Sequence, residues 1–163
     1  MSARAWRGFL WGMVATVAMT LTHMIIWAIA GRLTVEALTT KAMPSIIITH
    51  LLGPLPTGTH LLLASAIHLG YGGFWGAILF RITPRVTVWK GLGLGAFLYL
   101  GAHIFLSPLL GHGGIMASGE PHRAFLLLFS VATHVTYGAT LGWLGWRDDR
   151  SGPALKASSA SAV

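Results

Sequence analysis

The 163-residue chain contains no cysteine. Disulfides, thiol redox chemistry, iron–sulfur clusters and thiolate metal sites are excluded with it. Acid is nearly as scarce. The only four carboxylates are Glu36, Glu120, Asp148 and Asp149, and none lies inside an apolar run. A carboxylate proton relay and a carboxylate di-iron site therefore lack their ligands. No Ser/His/acid set brings an acid within reach, so hydrolysis has no support. No strand or P-loop lysine accompanies the glycines, which argues against nucleotide binding. Charged residues of either sign make up 9% of the chain, against about 25% in an ordinary soluble domain. The net charge of +7 comes from 11 basic residues scattered at the ends of apolar runs. They form no basic patch, so no nucleic-acid partner is expected.

What is abundant is apolar. Hydrophobic residues make up 54% of the chain and the mean hydropathy is +0.69. Four stretches are long enough to cross a bilayer, which takes about 20 helical residues: 8–30, 61–80, 91–110 and 124–146. They lack strand alternation, and backbone in lipid must satisfy its own hydrogen bonds, so helices are expected. The fold class is thus an all-α membrane protein with four transmembrane helices. Residues 1–150 form the bundle and residues 151–163, "SGPALKASSASAV", a disordered cytoplasmic tail.

Basic residues orient the spans. With the N-terminus inside, Arg4, Arg7, Arg81, Arg85, Lys90, Arg147, Arg150 and Lys156 are cytoplasmic, and only Arg32, Lys41 and Arg123 are outside. This asymmetry predicts a multi-pass protein of the prokaryotic inner (cell) membrane with both termini cytoplasmic. The first apolar run is longer than the 7–15 residues of a signal peptide and is read as a retained helix. In the first outer loop, "RLTVEALTTKAM" suits a short amphipathic helix, and "SIIITHLLGPLP" is an interfacial or re-entrant segment too short to span. Pro108 is expected to kink or end the third helix.

A stretch is written twice. Without gaps, 61–81 aligns with 127–147, with identities that include His68/His134, Tyr71/Tyr137, Gly72/Gly138, Gly76/Gly142 and Arg81/Arg147. The other two spans match more weakly, Arg7-Gly8 and Gly12 against Lys90-Gly91 and Gly95. The chain therefore reads as two helical hairpins in a parallel repeat, related by a pseudo-two-fold axis along the membrane normal. His68, Gly72 and Gly76 recur every four residues on one helical stripe, as do His134, Gly138 and Gly142. Small residues four apart let helices approach closely, so the stripes should face other helices and carry their histidines inward. Gly145 is expected off the stripe. His68, His134 and His103 each lie 13 residues from a basic residue at the inner end, about 20 Å along the helix, and His23 about a turn higher.

The pattern Ala15-Thr16-Val17-Ala18-Met19-Thr20, His-x-x-Tyr-Gly in the second span, Pro108-Leu109-Leu110-Gly111 and His-x-x-Tyr-Gly-x-x-x-Gly in the fourth resembles a group of small four-helix prokaryotic membrane proteins of unknown function, YagU-like in style. The resemblance covers most of residues 7–147 and implies the four-span architecture without an activity. His23 and His103 lie outside its pattern.

His68, His134, His103 and His23 are the candidate cofactor or metal ligands. Neutral imidazole binds zinc, copper, nickel and haem iron, and helix bundles build such sites from inward side chains. Two histidines at equal depth suit the axial positions of haem b, with the glycines leaving room for the porphyrin. Four imidazoles suit copper or zinc, with Met19 as a soft ligand. The alternative is that each histidine hydrogen-bonds across helices to Tyr71, Tyr137, Thr20, Thr22, Thr133, Thr136 or Ser65. Three functions follow: electron transfer or metal handling, a non-catalytic accessory subunit of a larger membrane complex, or a small-solute transporter. Partners are the lipid bilayer and either other membrane subunits or further copies of the chain. Catalytic residues are not expected.

Overall fold

The computed structural model describes residues 1–30, 43–111, 115–119 and 122–160, with side chains as far as residue 150. Most of the described residues are helical, and none of them forms a strand. Four helices are long and apolar enough to cross a membrane: α1 (Ala3–Ile29), α3 (Thr57–Ile82), α4 (Val88–Leu109) and α5 (Arg123–Ala160, apolar to Arg150). Between the first two lies the short apolar helix α2 (Met43–Leu52), packed on α3. The "RLTVEALTTKAM" segment falls almost wholly outside the described residues.

Local chemistry sets the helix ends. Ser2 caps α1 by accepting from the Ala5 amide, and Thr87 caps α4 by accepting from the Lys90 amide, each satisfying a donor that the first turn leaves free. α4 is interrupted rather than simply bent. Pro108 has no N–H to give the carbonyl four residues back, and just before it the helix widens into a π turn at Ala102–Leu106, in which the Ser107 amide reaches the Ala102 carbonyl.

α1 packs antiparallel on α3, α4 antiparallel on α5, and the two hairpins join through α1 and α5. That join is one-sided. α3 and α4 have almost no close backbone approach and meet through long side chains, Trp75 on Phe97 at 5.5 Å between ring centroids. The core at the join holds Ala15, Leu79, Phe80, Val86, Leu98, Tyr137 and Leu141.

The end of the bundle that carries the N-terminus is clasped by charge. The Arg4 guanidinium pairs with Asp149 at 2.7 Å and donates to the carbonyls of Phe80 and Thr83, and the Asp149 carboxylate also accepts from the Val86 amide. Both ends of the α3–α4 connection are thereby tied to α1 and α5. Arg7 and Asp148 form a second, more exposed pair. The candidate histidines of the four spans lie in the opposite half of the bundle, the far half.

Candidate histidine site

The glycines bring the helices into backbone contact. A methyl group on Gly8 would lie 2.6 Å from the Gly76 carbonyl oxygen, and one on Gly12 would collide with the Gly72 carbonyl. In the second hairpin a methyl on Gly138 would lie 2.5 Å from the Gly91 oxygen, and one on Gly95 2.5 Å from the His134 oxygen. All four stripe glycines are buried at helix contacts, as their spacing predicts. Gly145 is a correction. It too is buried, with Val86 and Phe80 against it. Seven residues from Gly138 is two helical turns, which returns to the same face.

The two hairpins are not in the same register. Gly8 and Gly12 lie against Gly76 and Gly72, whereas the aligned Gly91 and Gly95 lie against the carbonyls of Gly138 and His134. In the aligned frame, α5 is displaced along its partner by four residues relative to α3, about one turn or 6 Å.

That slip decides what each histidine meets. In the first hairpin His68 faces α1, with Nδ1 3.4 Å from Thr20 Oγ1. In the second hairpin the residue aligned with Thr20 is His103, and it meets Ser130, one turn before His134: His103 Nε2 to Ser130 Oγ is 2.7 Å and Ser130 Oγ to His134 Nδ1 is 3.3 Å. His134 Nδ1 also lies 2.7 Å from the Ser130 carbonyl oxygen. His23 makes no such bond. Its ring lies between Trp27 and Phe129, at 4.6 and 4.5 Å, and its Nε2 is buried without a partner.

The partners fix two protons. The single hydroxyl proton of Thr20 goes to the Thr16 carbonyl at 2.9 Å, so in the Thr20–His68 contact the ring must donate from Nδ1. A carbonyl only accepts, so His134 Nδ1 donates to Ser130. A neutral imidazole with its proton on Nδ1 carries a lone pair on Nε2. His68 and His134 therefore present the same ring face: Nδ1–H held by an oxygen, Nε2 free to accept or ligate. This is the arrangement of metal-binding histidines, whose second nitrogen is held by a carbonyl or similar acceptor.

Depth is matched by a separate contact. Tyr137 is buried, and its hydroxyl donates to the Gly72 carbonyl at 2.7 Å, joining the parallel helices α3 and α5. His68 lies four residues before Gly72 and His134 three before Tyr137, so both sit about one turn further into the far half. Among the described residues no group of three or more His, Asp or Glu is arranged around one metal position. Beside His68 a cleft of about 200 Å³ runs between α1 and α3, lined by Val17, Thr20, Leu21, Ser65, His68 and Leu69; it opens where Val17 and Leu21 are exposed.

The room that a porphyrin would need beside the glycines is filled. The Cβ position of Gly138 abuts Gly91 and Leu92, and that of Gly72 abuts Thr16. Tyr137, one of the residues expected to partner a histidine, is committed to a backbone carbonyl instead. Ser130, which holds two histidines, was not among the expected partners; its i, i+4 spacing to His134 is the signal that points to it. No protein-family model, no curated protein and no solved structure matches this chain.

Proposed function

We propose that this is a small multi-pass protein of the prokaryotic cell membrane, both termini cytoplasmic, that handles a transition-metal ion through histidines in the outer half of its bundle. The observation that carries the reading is that Nδ1 of both His68 and His134 faces an oxygen, from which a shared tautomer follows. Each has Nδ1–H committed to oxygen and Nε2 left as a lone pair, at one level of two helices joined by Tyr137. His103, bonded to Ser130, and His23, between Trp27 and Phe129, stand on the other two spans. Filled space beside the glycines favours a bare ion over haem.

The test is metal analysis and an absorption spectrum of purified protein, with His68→Ala and His134→Ala alongside. Bound copper or zinc in the parent, lost in both variants, is the expected result. A Soret band lost in both would replace the ion with haem. Protein with neither metal nor haem, before and after incubation with copper or zinc salts, would overturn the reading. Reporter fusions after Gly31 and Ser118 should read outside, and after Arg85 inside; the inverse pattern would place the histidines in the cytoplasmic half.

A second reading rests on Ser130 and Thr20. Hydroxyls already hold His68, His103 and His134 without any ion, as in a bundle whose polar groups serve packing alone. That reading makes the protein an accessory subunit, and its mark is a stable partner that co-purifies equally with the parent and with the double His68→Ala, His134→Ala variant.

A further inference from the structure

Resting on the metal-binding reading above, we infer that the ion is monovalent and soft, Cu(I) in class, and not a divalent zinc-like ion. The argument is one of charge and donor count. The four spans supply no carboxylate at the histidine level. Asp148 and Asp149 follow His134 by 14 and 15 residues, about 21 Å along α5, and both are engaged with Arg4 and Arg7 at the other end. With no cysteine in the chain, thiolate is absent as well. Among the described residues, the donors beside the two histidines are then neutral: imidazole, hydroxyl and backbone carbonyl. An ion held by neutral ligands keeps its full charge inside an apolar medium. The Born cost of that charge grows with its square, so a dication costs about four times as much as a monocation of the same size.

Donor number points the same way. Zinc in a structural site takes four ligands in a tetrahedron, and no three acids or histidines among the described residues are arranged around one point. A filled-shell monovalent ion such as Cu(I) is satisfied by two donors in line. His68 and His134 can each offer one Nε2 lone pair, from two parallel helices joined by Tyr137, with Nδ1 of each already held. Hard oxygen donors nearby, Thr20, Ser65 and Ser130, add little for a soft ion.

The experiment titrates the full chain, solubilised in detergent, with Cu(I) under reducing anaerobic conditions against a chromogenic Cu(I) chelator, and in parallel with Zn(II) against a zinc indicator. The expected result is one Cu(I) per chain, bound about 100-fold more tightly than Zn(II). His68→Gln and His134→Gln keep side chains that still hydrogen-bond, and each should weaken Cu(I) binding at least about tenfold. Unchanged elution and melting on the same samples show that the fold is intact; should either variant fail that check, Ag(I) titration of the parent with histidine ¹⁵N shifts as readout identifies the ligands instead. Binding of Zn(II) as tight as Cu(I), or tighter, overturns the monovalent assignment and leaves metal binding standing. Binding of neither ion overturns both. Binding of Cu(I) that both glutamine variants retain overturns the assignment of His68 and His134.

Discussion

The two hairpins share their glycines and their second-helix histidine, yet one turn of slip gives them different polar interiors. In α1 with α3, Gly8 and Gly12 seat on Gly76 and Gly72, and Thr20 reaches His68 directly. In α4 with α5, Gly91 and Gly95 seat one turn earlier, and the residue in the place of Thr20, His103, reaches Ser130 instead of His134. The second histidine is then served from its own helix by the Ser130 carbonyl. Two routes thus lead to one outcome, an imidazole with its proton on Nδ1. Glycine stripes fix how closely helices approach and leave the register to the side chains around them. Position in an alignment therefore does not guarantee position in a site.

The largest expected effect separates packed from open glycines. Gly12→Leu or Gly138→Leu drives a side chain into the backbone of the neighbouring helix and should cost about 3 kcal/mol or more, seen as loss of folded protein on size-exclusion chromatography. Gly93→Leu and Gly70→Leu, which meet nothing within 4 Å, should leave the elution profile unchanged. Equal damage from both groups would break the glycine account of both hairpins.

Next is the slip itself. Because the chain has no cysteine, introduced pairs report without background. Thr20→Cys with His68→Cys, and His103→Cys with Ser130→Cys, stand where side chains now touch and should cross-link readily with a short bifunctional thiol reagent. Thr20→Cys with Ala64→Cys, the pair that aligns with His103 and Ser130, should cross-link more slowly, since it lies one turn out of register. Similar rates for the Ala64 pair and the two contact pairs would mean that the registers are the same.

The ends of the hairpins come next. Arg4→Ala leaves Asp149 and two carbonyls short of a donor and should cost about 1–2 kcal/mol in thermal or denaturant unfolding, discounted for partial exposure. Arg7→Ala, from the more exposed pair, should cost well under about 1 kcal/mol. Tyr137→Phe falls between them at about 1 kcal/mol, since it removes one buried hydroxyl bond to Gly72.

Much of this was readable from the chain. Four unbroken apolar runs leave helices as the only economical solution in lipid, and the observed helices fall where the runs do. Glycines four apart gave the contact faces. Gly145 escaped because the four-residue stripe hid its seven-residue relation to Gly138. The charge clasp escaped because Arg4 and Asp149 are 145 residues apart, and nothing local pairs them. Of the candidate site, the helices that carry the histidines were legible, but the protons were not. Ring tautomers depend on which oxygen faces Nδ1, and that rests on a register that glycine spacing leaves open by a turn.

The smallest structural effect bears most closely on the site. Thr20→Val removes the acceptor of His68 Nδ1–H and should barely change stability, by roughly 0.5 kcal/mol, while freeing the His68 ring to exchange tautomers; His134, held by a backbone carbonyl, should not respond. The central claim, that His68 and His134 both keep the proton on Nδ1 and offer Nε2, is read most directly by ¹⁵N solid-state NMR of histidine-labelled, metal-free protein in lipid, with His68→Gln and His134→Gln used for assignment. The account predicts that both rings show a protonated Nδ1 and an unprotonated Nε2, with His68 alone becoming mixed in Thr20→Val. A protonated Nε2 on either ring in the parent protein would contradict it, since that nitrogen would then have no lone pair to give a metal.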